Sequence, residues 1–169
     1  MKNLLLLLTV WVGLLSGCDS SAGPQSPHRQ DHPVGPFVLQ LNGHSFHVEL
    51  ADNFQRQRQG LAGREYLPPD AGMLFVYPTA TRTSMWMKGC KIPLDVLFFD
   101  GNKRLINFYT MAVPSPGQPN HTLPIYPSDK PAKYALEVPA GTTARLRLKP
   151  GAAISFSPEL LKALDKGTE

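Results

Sequence analysis

The sequence predicts a mainly β fold of the α+β class: a compact antiparallel sheet or partly closed barrel with two or three short helices. Three observations point there. Short apolar or alternating runs recur from Phe37 to the C-terminus. An Asn42-Gly43 pair, a strong local hairpin signal, joins the first two of these runs. Helical patterning is confined to two brief stretches and an ambiguous third, so strands must supply most of the layers around a core.

Taken in order, "FVLQL" and "HSFHVELA" are the two arms of the hairpin. "ADNFQRQRQGLAGR" follows as a short helix, with Asp52 as its expected cap, Gln55 at capping-box spacing and Gly63 at its exit. "GMLFVY" and "TSMWM" read as strands, as do "DVLFFD" and "RLINFYTMAV" on either side of Gly101-Asn102. Residues 114–132 hold six prolines and no periodicity, which predicts a long surface loop. "KYALEV" is another strand, "GTTARLRL" a short helix or a strand, and "AAISF" a last strand. Ser157-Pro158-Glu159 has the capping residue, proline and acid of a helix start, so "PELLKAL" closes the chain as a helix.

The N-terminus speaks to location. Lys2 precedes an apolar run from Leu4 to Leu15, too short for a span of about twenty residues but suited to an export signal. Its exit, Leu15-Ser16-Gly17-Cys18, resembles the lipobox of bacterial lipoproteins, in which cleavage leaves a lipidated cysteine. The resemblance implies a signal peptide over residues 1–17 and a membrane anchor on Cys18. Asp19 resembles an inner-membrane retention signal, so the chain is expected in the cell envelope, facing the periplasm or exterior. The segment completing 18–36 is rich in proline, serine and glycine and has too little apolar surface to offset its ordering entropy, which predicts a disordered tether. One globular domain then occupies 37–169.

The net charge of +4 is spread among acids, without the basic stripe that nucleic acid requires, so nucleic acid is excluded as a partner. No cofactor or metal is expected. His44 and His47 lie three apart on a strand and point to opposite faces. Cys90 is the only cysteine beyond the anchor. Lys88 and Lys91 would favour its thiolate, but no histidine is placed as a base, and packing is the simpler role.

Polar residues in apolar settings are the candidates for chemistry. Arg56, Arg58 and Arg64 lie on or after the first helix, Trp86 and Lys88 on a strand, Asp95 at a strand entrance and Glu137 inside "YALEV". Tyr134, Leu136 and Val138 share one strand face, which leaves Ala135 and Glu137 on the other. A buried carboxylate there needs a cationic partner. Arg64, Trp86, Lys88, Asp95 and Glu137 are therefore expected around one cleft, as an ion-pair network or as a ligand site.

Four blocks in order resemble the bacterial and archaeal domain of unknown function 192 family. They are "RQRQGLAGR", "GMLF", "WMKGCKIPLD" and "YALE", within residues 44–157. The chain departs from that family's pattern at Arg56-Gln57, where Glu-Arg is usual, at Ala62, where methionine is usual, and at Gly89, where asparagine is common. Cys90 falls where the family varies, and the cysteine pair some members carry before the last block is absent. The resemblance implies a compact β domain and no established activity. The expected function is a membrane-anchored lipoprotein that binds a small polar ligand or an envelope partner. A hydrolase using Asp95 or Glu137 as acid or base is the alternative, and a purely structural envelope protein is another.

Overall fold

The computed structural model describes residues 35–166. The signal segment 1–17, Cys18 and the tether up to residue 34 lie outside the described residues, as do 167–169.

The hairpin forms as its turn chemistry requires. Strands β1 (Phe37–Leu41) and β2 (His44–Ala51) pair antiparallel. Both turn residues take positive φ, 50° at Asn42 and 77° at Gly43, the conformation that suits the twist of the flanking strands. Helix α1 (Phe54–Gln59) starts at Asn53, whose side chain accepts from the Arg56 amide at 3.0 Å. Asp52, the expected cap, instead pairs with Arg56 across one helical turn at 3.2 Å.

Strand β3 (Ala71–Thr81) then runs parallel to β2. Residues 52–70 are long enough for the crossover that a parallel pair demands. The remaining elements are β4 (Ser84–Met85), β5 (Leu94–Phe99), β6 (Leu105–Met111), β7 (Tyr126–Pro127), β8 (Ala132–Pro139), α2 (Thr142–Arg145), β9 (Ile154–Phe156) and α3 (Pro158–Lys166). "GTTARLRL" thus resolves as a helical turn. The proline-rich segment is more ordered than a surface loop: it holds a 3-10 turn at Asn120–Thr122, and β7 pairs with β4.

The main sheet has the order β6-β5-β8-β3-β2-β1-β9, antiparallel throughout except for β2 and β3. It curls until its edges meet. Arg104 and Ala153 form an antiparallel bridge, and the Leu105 amide donates to the Ala152 carbonyl at 2.8 Å. Among the described residues the result is a mostly β half-barrel with three short helices, which fits the expected fold class.

Strand alternation divides the core in two. Inside the curl, Leu39, Phe46, Leu74, Leu97, Leu136 and Val138 pack with Leu160 of α3. On the outer face Leu61, Met73, Phe75, Met87, Val96 and Phe98 form a second cluster, covered by the segments around α1 and β4. At 25 cal/mol per Å², each fully buried large side chain contributes roughly 1.5–3 kcal/mol. Gly72 keeps the strands in contact: a Cβ there would stand 2.6 Å from the Glu137 carbonyl oxygen.

Candidate functional site

Glu137 is the centre of the site. It is on the outer face of β8, where its register neighbours are Met73 of β3 and Val96 of β5, both buried and apolar. Only 4% of the residue is exposed. Its Oε2 is buried without a hydrogen-bond partner, the one such side-chain atom among the described residues. Burial raises its pKa to about 8, so near pH 7 the group is largely a neutral acid.

That carboxyl lines a cavity of about 290 Å³. Phe75, Leu61 and Met85 supply apolar wall, while Trp86, Lys88 and Arg58 stand at the mouth. Trp86 is 46% exposed, and the Lys88 ammonium lies over its ring at 5.5 Å from the centroid. Gly60 shapes the floor from the C-terminus of α1. Its φ of 50° suits glycine, and a Cβ would come 3.4 Å from the Phe75 ring and 3.7 Å from Glu137 Oε2.

Two other groups face the acid. The Tyr77 hydroxyl is pushed up in pKa by burial and by the Glu137 charge, opposed by the Thr83 side chain. The Cys90 thiol is pushed up to about 11 by burial, reinforced by the same charge. The thiolate that Lys88 and Lys91 would favour is therefore opposed, in keeping with the packing role expected for Cys90. Lys91 is engaged elsewhere, with Glu65 at 2.8 Å, and Cys90 packs against the outer core cluster.

The structure brings Trp86, Lys88 and Glu137 together and leaves Arg64 and Asp95 apart. Arg64 pairs with Glu49 at 2.7 Å, beside a different hollow formed with Arg56, Phe37 and Met73. Asp95 faces the interior of the curl, opposite Val138. It is fully buried, yet it needs no cation. Oδ1 accepts from Thr110 Oγ1 at 2.7 Å, and Oδ2 accepts from the amide and hydroxyl of Thr143, both at 2.8 Å. These bonds tie β5 to β6 and α2. The expectation of one cleft for all five residues is corrected: two of them belong to other networks. Tyr77, Arg58 and Gly60 complete the site; in sequence Arg58 stood out only as one cation of a helix with several, Gly60 only as part of the family-like "RQRQGLAGR" block, and Tyr77 not at all.

Comparison with known proteins places this architecture. The family profile described as DUF192, "Uncharacterized ACR", matches residues 37–156. The chain belongs to the DUF192 family. A UPF0127 protein of Thermococcus kodakarensis is 28% identical over 126 residues, 72% of this chain and 73% of the relative. One from Pyrococcus abyssi is 28% identical over 111 residues, covering 64% and 85%. A solved structure from Sinorhizobium meliloti, named as a candidate transcription regulator, has TM-score 0.64 and 34% identity over 71% of this chain and 92% of its own. A protein of unknown function from Novosphingobium aromaticivorans gives 0.62 and 30%, covering 82% and 99%.

One departure from the DUF192 pattern has a backbone cause. Gly89 sits at φ 71°, and its carbonyl accepts from the Gly63 amide at 2.8 Å. Asparagine is among the few non-glycine residues that enter this left-handed region readily, so glycine and asparagine both suit this turn. Ala62 packs toward the same spot: a Cβ on residue 89 would meet the Ala62 Cβ at 3.4 Å.

Proposed function

We propose that this DUF192 chain is a membrane-tethered extracytoplasmic lipoprotein, anchored through Cys18, whose domain binds a small polar ligand in the Glu137 cavity. The single observation that carries the reading is Glu137 Oε2, buried and without a hydrogen-bond partner on the wall of an open cavity. An unsatisfied buried polar atom costs about 1–3 kcal/mol, and a ligand that supplies the missing hydrogen bond recovers it. Trp86 and Lys88 offer such a ligand an aromatic face and a charge.

A purely structural role accounts well for Asp95 and Arg64, which are hydrogen-bonded or paired, but gives Glu137 nothing to hold. A hydrolase built on two carboxylates lacks its pair, because Asp95 lies on the other face of the sheet. In this reading a lipid on Cys18 holds the domain at the cell envelope, with Asp19 favouring the inner membrane, and an envelope protein is the alternative occupant of the cavity mouth.

The test is native mass spectrometry of the detergent-solubilised protein after exposure to an envelope extract. A low-mass adduct is expected, lost in Glu137→Gln and Lys88→Ala without any fall in melting temperature. An adduct that survives both substitutions, or no adduct at all, contradicts the proposal.

A further inference from the structure

We propose that the Glu137 cavity selects a small zwitterion, with a primary ammonium seated against the Glu137 carboxyl and an anionic group held at the mouth by Lys88 and Arg58. This rests on the reading of the cavity as a ligand site and adds the class of ligand.

The polarity of the cavity is the reason. Its one acid is at the floor, flanked by Met73 and Val96. Its two cations are at the mouth and, among the described residues, neither is in an ion pair with a carboxylate. Phe75, Leu61 and Met85 add apolar wall beside the polar Gln57, Thr83 and Ser84. The arrangement sets a buried acidic or hydrogen-bonding pole against an exposed positive pole, and burial at the acid strengthens charge–charge attraction there. A neutral polyol would satisfy Glu137 and leave the cations unused. A simple anion would satisfy the cations and leave Oε2 orphaned. A ligand with an ammonium at one end and a carboxylate or phosphate at the other answers both.

The proton inventory follows from the groups that face Glu137. Tyr77 of β3 and Cys90 of the turn before β5 stay protonated near neutrality, because burial raises both. β5 and the nearby part of β3 present Val96 and Met73, which do not titrate, and α1 and the segment after β4 add the basic side chains of Arg58 and Lys88. Glu137 alone changes state. It begins largely as the acid, with a pKa of about 8, and the ligand ammonium holds it as the carboxylate. Each binding event at pH 7 therefore forms one ammonium–carboxylate contact and releases the carboxyl proton to solvent.

Two sources supply this chemistry: free amino acids or short peptides, and the phosphoethanolamine headgroup of a lipid. Titration calorimetry of the detergent-solubilised full chain, in two buffers of different ionisation enthalpy, separates them and tests the class. The probes are a panel of α-amino acids and dipeptides, soluble phosphoethanolamine, and their N-acetylated and amidated or dephosphorylated counterparts.

Expected are release of nearly one proton per ligand at pH 7 and apparent affinity that rises about tenfold per pH unit between pH 6 and 7.5. Glu137→Gln is expected to abolish proton release and weaken binding at least tenfold. Lys88→Ala and Arg58→Ala are expected to weaken the zwitterion but not the probe that lacks its anionic group. Preference for phosphoethanolamine over amino acids assigns the headgroup, and the reverse assigns the free solute. N-acetylated or polyol probes that bind equally well, without proton release but still dependent on Glu137, overturn the zwitterion and leave the cavity as a ligand site. If neither the panel nor the envelope extract yields any binding, both readings fall.

Discussion

Glu137 and Asp95 are on neighbouring strands one residue out of step, and so point to opposite faces of the same sheet. In the β5–β8 register Glu137 stands across from Val96, while Asp95 stands across from Val138. Two buried carboxyl groups of similar sequence context thus meet opposite fates. Asp95 receives three hydrogen bonds, whereas one oxygen of Glu137 receives none. The first is a structural tie, and the second is the group we propose as the ligand site.

Replacement of Asp95 should accordingly cost stability and spare the cavity. Asp95→Ala strands the Thr143 amide and the Thr110 hydroxyl, for roughly 2–6 kcal/mol at about 1–3 per orphaned group. Asp95→Asn, which keeps the shape, should cost less. Urea unfolding monitored by circular dichroism measures both. Loss of ligand adducts in Asp95→Asn with an unchanged unfolding midpoint would reassign Asp95 to the site.

Glu137→Gln should do the reverse, stabilising the domain while removing binding. The folded-state pKa of about 8 lies above the ordinary carboxyl value of 4.5, so the folded state holds its proton more tightly than the unfolded chain. That contribution is complete below about pH 4.5 and is lost as pH rises through about 8. Wild-type stability should fall over this window by a few kcal/mol in order of magnitude, and the glutamine variant should lack that fall. Such a gain at the expense of function is common at binding sites. Parallel pH profiles for the two proteins would argue that Glu137 has a partner after all.

Cys90 is predicted to be inert. With its pKa near 11, almost none of the thiol is ionised at pH 7, so alkylation should be slow and should accelerate above pH 10. Cys90→Ala should change stability by about 0.5–3 kcal/mol and binding by no more than a few-fold. Rapid labelling at pH 7 would return the thiol to the chemistry.

The anchor is tested separately. Cys18→Ser should abolish both palmitate incorporation and detergent partition, while the cavity keeps its adduct. Unchanged partition in that variant would remove the lipoprotein reading.

Much of this was legible in the sequence because local rules governed it. Asn42-Gly43 fixes a hairpin by its own φ preferences, and period-two alternation separates Glu137 from Leu136 and Val138. Where the reading failed, the deciding contacts are distant in sequence. The parallel pairing of β2 with β3, and the antiparallel pairing of β4 with a piece of the proline-rich segment, follow from packing that no short window encodes. The offset that turns Asp95 away from Glu137 is a register between strands, and a one-residue slip reverses every side chain. Arg64 was expected beside a buried acid in the cleft, but Glu49, on the adjacent hairpin strand, takes it. Asn53 rather than Asp52 caps α1, a one-residue choice settled by the Asp52–Arg56 pair.

The central claim is that Glu137 is a buried, unpaired acid which a ligand engages. Carbon-13 NMR of its labelled side-chain carboxyl, titrated from pH 4 to 10 with and without envelope extract, addresses it directly. The account predicts a midpoint near 8 in the free protein, displaced when ligand is present. A midpoint close to 4.5, or one near 8 that no ligand moves, would contradict it.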